Sequence, residues 1–229
     1  MENRELPMQN APSALAGFTK IYAETNPPWD IGKPQPPFIA VADRIVSPVL
    51  DAGCGTGRLA RQSQAEIVGA DFSATMLRWA KKRGQSVIQG DLQNLPMADE
   101  QFDVVVSLNV LYAVSDPGSV LRELVRVTRV GGEVRIATPI TSELLPLVRE
   151  HFQRATWLDH VKFIVNLPRL LGWMAVLTIR GLITKSEFSF YSEDELMTMF
   201  NAAGLRVISC EPCYAEIDRL VVAIKEESC

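Results

Sequence analysis

Residues 49–60, VLDAGCGTGRLA, run from a short apolar stretch through an acidic residue into three glycines at alternate positions, and then into a helical pattern. Val49-Leu50-Asp51 predicts a strand, Gly53–Gly57 a tight turn, and Leu59–Gln64 a helix. The glycines let the main chain turn sharply and let a ligand approach it with no Cβ in the way. Twenty positions after Asp51, Asp71 closes a second predicted strand, Ile67–Asp71. Doubly wound sheets present a carboxylate to ribose hydroxyls at that position. Either acid alone reads equally as a solvated or helix-capping strand end; the pair at this spacing reads as a ligand site. A glycine-rich turn also opens dinucleotide-binding domains, but G-x-G-x-G is less suited than G-x-G-x-x-G to seat a pyrophosphate on a helix end.

Working outward, short apolar runs alternate with helical patterns. Ser73 is placed to cap a helix carrying Met76, Leu77 and Ala80, which Gly84 stops. Ser86–Ile88 and Phe102–Val106 read as strands. Asp116-Pro117 opens a helix with Val120, Leu121, Leu124 and Val125 on one face. Gly131-Gly132 ends that connection before a fifth strand, Glu133–Ala137. Ser192 and Glu195 form a capping box for a helix bearing Leu196, Met199, Phe200 and Ala203, and Leu205–Cys210 and Leu220–Ile224 follow as strands. This rhythm predicts an α/β fold, a doubly wound sheet with helices on both faces. Residues 142–190 fall outside it and read as a helical insertion after the fifth strand.

The segments DAGCGTG, GADFSATML, QGDLQNLPMADEQFDVVVS and RVGGEVRIATP stand in the order and spacing of the class I S-adenosylmethionine-dependent methyltransferases, a family the chain resembles over roughly residues 45–140. The resemblance implies a Rossmann-like sheet of seven mostly parallel strands with an antiparallel last strand. It also implies S-adenosyl-L-methionine as cofactor. Asp51 and the backbone of Gly53, Cys54, Gly55 and Gly57 would face its methionine end, and Asp71 its ribose. Phe72 and Met76 would lie against the adenine, Asp91 would accept from the adenine amino group, and Leu92 would lie beside it. Ser107, Leu108 and Asn109, after the fourth strand, would border the methyl group. Val130 stands where the family often has Pro before Gly-Gly.

Five of the fourteen prolines fall in Asn26–Pro37, NPPWDIGKPQPP, which excludes a regular helix or central strand there. Trp29 inside that loop is costly to leave exposed, so the loop is expected to pack over something. The segment resembles the opening loop of thiol, halide and thiopurine methyltransferases and some small-heterocycle methyltransferases, which implies that residues 1–40 form a lid over the cofactor. Passive packing is the alternative.

The acceptor is less legible. Activated methyl chemistry belongs to the cofactor, leaving the protein to align the acceptor and exclude water. A hydroxyl acceptor would also want a base, and His151 and His160 are the only histidines. His160, Tyr22, Tyr112, Trp29 and Trp173 are the substrate or lid candidates, each equally readable as packing. The insertion carries Phe152, Trp157, Phe163, Trp173, Met174 and Phe188. Its first reading is buried core, its second a pocket wall for a small aromatic or lipophilic acceptor, its third a membrane-surface contact.

Bulk properties agree with one domain over residues 1–229: 47% hydrophobic, 22% charged, net charge −4. No basic stripe invites nucleic acid. The N-terminus lacks a signal-peptide layout, and the longest charge-free apolar run, Leu170–Ile179, is too short to span a bilayer, so the expected address is cytoplasmic. Cys210 and Cys213 form a lone C-x-x-C with no His nearby, so no metal is expected. The reading is therefore a methyltransferase for a small molecule, with a catalytically silent cofactor-binding partner or regulator as the alternative. A nicotinamide oxidoreductase is disfavoured by the glycine spacing and the lack of a second substrate domain.

Overall fold

The structure, a computed structural model, describes residues 48–63, 65–141, 165, 168, 171–172, 188–214 and 217–227. Seven strands form one sheet in the order β3-β2-β1-β4-β5-β7-β6. They are β1 (Val49–Ala52), β2 (Ile67–Asp71), β3 (Ser86–Gln89), β4 (Phe102–Leu108), β5 (Thr128–Pro139), β6 (Leu205–Tyr214) and β7 (Asp218–Lys225). The first five pair parallel, and β7 runs antiparallel to both β5 and β6. The expected doubly wound sheet with its antiparallel last strand is what forms.

Local chemistry sets the helix ends. In α1 (Ala74–Lys82), Ser73 Oγ accepts from the Met76 amide, and Met76, Leu77 and Ala80 turn inward. In α2 (Pro117–Val127), Asp116 accepts from the Ser119 amide and Pro117 occupies the first turn. Both oxygens of the Ser192/Glu195 capping box are engaged at α3 (Glu193–Ala202). Apolar residues one turn apart on α2 (Val120, Leu121, Leu124, Val127) and α3 (Leu196, Phe200) cover one sheet face with Leu50, Val105, Val134 and Ile136. Val49, Leu59, Ile67, Val104, Val106, Leu108, Ala137 and Leu220 make the core on the other face.

Three expectations are corrected. Leu59–Gln64 is not a helix among its described residues: positions 55–62 form successive turns, with Gly57 N–H bonding to Cys54 O and Gln62 N–H to Leu59 O. Left-handed backbone at Gly53, Gly55 and Gly57 interrupts right-handed winding. The few residues left before β2 are too short to repay helix nucleation. Second, β5 begins at Thr128 rather than Glu133, so Gly131-Gly132 lies within the strand, with an irregular register opposite Phe102/Val104. Third, Leu171 in the insertion is 60% exposed, so the buried-core reading fails at that position.

The proposed lid, residues 1–40, and most of the insertion lie outside the described residues. Among the described residues, no helix is long and apolar enough to cross a membrane.

Phe200, fully buried in the core cluster that also holds Leu205 of β6, anchors α3 to the sheet. Phe200→Ala is expected to lower stability by about 3–5 kcal/mol in urea unfolding; a loss under about 1 kcal/mol would mean α3 is not held through this side chain.

Candidate functional site

The chain reverses direction of travel across the sheet between β1 and β4, the crevice where doubly wound folds bind ligands. Because β1 to β4 are parallel, Asp51, Asp71, Asp91 and Asn109 all fall at the same carboxyl edge. Asp51 is the register partner of Gly69, two residues before Asp71, so the side chains of both acids stand on the same face. Both are buried, at 1% and 6% exposure.

The glycine turn is strapped to the end of β2. The Gly53 and Cys54 amides both donate to Ala70 O at 2.7 and 3.0 Å. Asp71 completes the strap, its Oδ2 accepting from the Gly55 amide at 2.9 Å and its Oδ1 from the Ser73 amide at 2.8 Å. The glycines have different jobs. A Cβ on Gly53 would stand 2.3 Å from Val110 Cγ2, so the turn is roofed by the chain after β4. Among the described residues, a Cβ on Gly55 would meet only Met76 Sδ, at 3.7 Å, so these residues leave open space over that peptide.

Asp51 Oδ2 is buried with no hydrogen-bond partner among the described residues. Burial pushes its carboxyl up to about 7, with the Asp71 charge adding to the rise. Burial also raises Asp71, against the pull of the Ser73 and Gly55 amides. Two desolvated carboxylates beside open space favour a ligand that brings positive charge and hydrogen-bond donors.

Other predicted residues complete the rim. Phe72, half-buried, is fixed through its carbonyl by Gln89 Nε2 at 3.0 Å, and Met76 and Leu92 are buried. Asp91 spends Oδ1 on a turn, accepting from the Gln93 amide at 2.9 Å. The stretch beyond it is clasped to α2: Leu95 N–H donates to Glu123, while Arg126 donates to Leu95 O, Met97 O and Asp99. Asn109 adopts a left-handed backbone (φ 58°) directly after β4, and its amide donates to Ala137 O. Tyr112 stacks on Phe190 with ring centres 6.2 Å apart, and lies 5.3 Å from Phe188 at a tilt; the Ser189 amide bonds to Tyr112 O.

Ser107 and Leu108 are corrected in position: they belong to β4 rather than following it. Ser107 Oγ donates to Ala52 O at 2.9 Å, tying β4 to β1, and is 2% exposed. Tyr22, Trp29, His160 and Trp173 lie outside the described residues. Sequence reading missed Val110, the roof over Gly53; Phe190, whose F-x-F spacing with Phe188 was the available signal; and Gln85, buried beneath the turn. It also missed Asp218, whose carboxyl burial raises to about 6 against the pull of Arg219. Nothing local marks Gln85 or Asp218, since register between strands puts them where they are.

Residues 50–136 match the family model described as a methyltransferase domain. The fold is that of the class I methyltransferases. An S-adenosylmethionine-dependent methyltransferase of Thermotoga maritima superposes with a TM-score of 0.58 at 21% identity, covering 83% of this chain and 88% of that one. A malonyl-[acyl-carrier protein] O-methyltransferase of Pseudescherichia vulneris is 36% identical over 118 residues, 49% of this chain and 47% of the relative. A demethylmenaquinone methyltransferase of Corynebacterium urealyticum is 37% identical over 120 residues, 51% and 52% of the two chains. The chain thus spans about half the length of these curated relatives. The glycine turn, both buried acids and the end of β4 all fall inside the matched methyltransferase segment.

Asp51 yields a test of the site's electrostatics. Its folded-state carboxyl is raised above the ordinary 3.8, so the folded protein binds that proton more tightly than the unfolded chain does. The contribution of Asp51 to stability therefore falls as pH climbs from about 4 to about 7 and then levels. Without ligand, Asp51→Asn should be more stable than wild type at pH 8, by about 1.4 kcal/mol per unit of raised pKa, and no more stable at pH 4. Equal urea midpoints at pH 8 would contradict a desolvated Asp51.

Proposed function

We propose that the chain is an S-adenosylmethionine-dependent methyltransferase acting in the cytoplasm on a small aromatic or lipophilic acceptor. The observation that carries this reading is the pair of buried acids, Asp51 and Asp71, flanking open space over the Gly55 peptide. The residues present fit the cofactor: Asp51 has a buried, unpartnered oxygen, and a Cβ on Gly55 would enter the room a ligand needs. When bound, S-adenosylmethionine supplies a methyl group already activated on a sulfonium.

The chain's residues then divide the work. Asp51, Gly53, Cys54, Gly55 and Gly57 receive the methionine end, where the Asp51 carboxylate meets the ammonium. Asp71, its carboxylate already aimed by two amides, accepts from the ribose hydroxyls with its remaining lone pairs. Phe72, Met76, Asp91 and Leu92 form the adenine side, and the Glu123–Arg126 clasp keeps the Asp91 stretch in place. Leu108 and Asn109 border the transferred group. The left-handed Asn109 redirects the chain so that Val110 roofs the turn and Tyr112 joins Phe188 and Phe190 in an aromatic stack next to it. That stack supports a planar or lipophilic acceptor. Exclusion of water and alignment of acceptor with methyl carbon supply the rate enhancement. We assign residues 1–40 as the lid, with Tyr22 and Trp29 as its candidate contact residues, and residues 142–190, with His160 and Trp173, as the candidate wall of the acceptor site.

Calorimetry should show S-adenosylmethionine and S-adenosylhomocysteine competing for one site, with NAD not binding. Gly55→Val should abolish binding, by filling the open space and straining a left-handed backbone, and Asp71→Ala should weaken it by about 1–3 kcal/mol. Tight NAD binding would overturn the cofactor assignment.

Incubating the protein with methyl-labelled cofactor and a metabolite panel, followed by mass analysis, should reveal a methylated aromatic or lipophilic product. Tyr112→Ala should then raise the acceptor KM with S-adenosylhomocysteine affinity unchanged. Label incorporated into protein or nucleic acid would refute the acceptor class, and binding without turnover on any acceptor would favour the catalytically silent module.

A further inference from the structure

Gln85, between α1 and β3, is 6% exposed, and neither its Nε2 nor its Oε1 has a hydrogen-bond partner among the described residues. A long amide buried with both ends unpaired costs a few kcal/mol, so its position calls for an explanation. Two glycines make room for it. A Cβ on Gly69 would stand 2.7 Å from Gln85 Nε2, and a Cβ on Gly57 would stand 2.4 Å from Gln85 Oε1. Gly69 is the register partner of Asp51, so Gln85 Nε2 occupies the space beside the Asp51 side chain on the same sheet face. Three orphaned polar atoms, Asp51 Oδ2 and both ends of the Gln85 amide, therefore collect beneath the glycine turn. Of these, Nε2 is a donor and Oδ2 an acceptor.

We propose that Gln85 is a positioning residue of this site: its Nε2, adjacent to Asp51 but unpaired in this structure, turns to donate to the carboxylate from beneath the turn once that group is charged, and holds it toward the ammonium end of the cofactor. This rests on the cofactor reading above. The other groups around Asp51 do not perform that task. Asp71, on β2, repels it; Cys54, on the turn, is a thiol that burial keeps protonated; and Arg83, from the end of α1, is committed to Thr56 O at 2.6 Å. The Gln85 side chain is the group that acts to lower the Asp51 carboxyl against burial and Asp71. Gly57 and Gly69 then have a shared reason to lack side chains, since a Cβ at either would displace the amide.

The test is the pH dependence of S-adenosylhomocysteine affinity in wild type and in Gln85→Met, which keeps the volume and removes the donor. Wild-type affinity should rise with pH and level off near the Asp51 titration. In Gln85→Met the levelling point should move up by about one pH unit, the scale of a hydrogen bond to a charged group. Affinity should fall roughly fivefold at pH 7 and recover most of that at pH 8.5. A loss equal at every pH, or no loss, would overturn the proposal, because a merely structural glutamine would not move the profile. Carbon NMR of the Asp51 carboxyl provides a readout free of ligand. In wild type the Gln85 side-chain amide resonance should shift with the same midpoint as Asp51, and a pH-insensitive amide would overturn the proposal even if Gln85→Met fails to fold. If S-adenosylhomocysteine fails to bind wild type, the cofactor reading falls, and the NMR titration still decides whether Gln85 and Asp51 are coupled.

Discussion

One carboxylate ties the site to the sheet. Asp71 ends β2, and its two oxygens take the amides of Gly55 and Ser73. The first bond fixes the glycine turn after β1, and the second sets the start of α1, whose Met76 borders the same space. With Gly53 and Cys54 both bonded to Ala70 O, the turn follows the end of β2 as a rigid unit. Without that strap, three glycines in five residues would carry a large conformational entropy and no defined shape. The left-handed Asn109 and the Val110 roof presuppose a turn held in this position, because Val110 fills the space that only a glycine at position 53 leaves.

The arrangement trades stability for function. Asp51 is deeply buried beside another acid with an oxygen unpaired, a placement that costs folding free energy and makes sense where a ligand later brings a cation. Asp71 shares the burial but has two amides to offset it. The two acids therefore differ in kind: Asp71 holds the architecture and is ready for hydroxyls, while Asp51 waits for charge. Gln85 beneath them belongs to the same economy of buried polar groups.

What the sequence made legible follows from how local each feature is. Ser73, Asp116 and the Ser192/Glu195 pair cap helices through bonds three residues away, and their patterns predicted the observed starts. The strand ends at Asp51 and Asp71 were readable because parallel strands after glycine-marked turns bring carboxyl ends to one edge. The helix expected at Leu59–Gln64 failed because apolar spacing cannot report the left-handed backbone just before it. Ser107 was misplaced because its hydroxyl is spent on Ala52 O, fifty-five residues away. Gln85 and Asp218 were invisible for the same reason: Gln85 stands before the amino end of β3 and only its side chain reaches Gly69 and Gly57, while the register of β5 with β7 sets Asp218 at the carboxyl edge.

The account turns on where a cofactor would sit relative to Asp71 and the Gly55 peptide. A crystal structure with S-adenosylhomocysteine tests this most directly. The account predicts ribose hydroxyls within about 2.5–3.0 Å of the Asp71 carboxylate, the methionine end over Gly55 beside Asp51, and the adenine between Phe72 and Leu92. Ligand found away from the ends of β1 and β2, or bound with Asp71 more than one water distant, would contradict it.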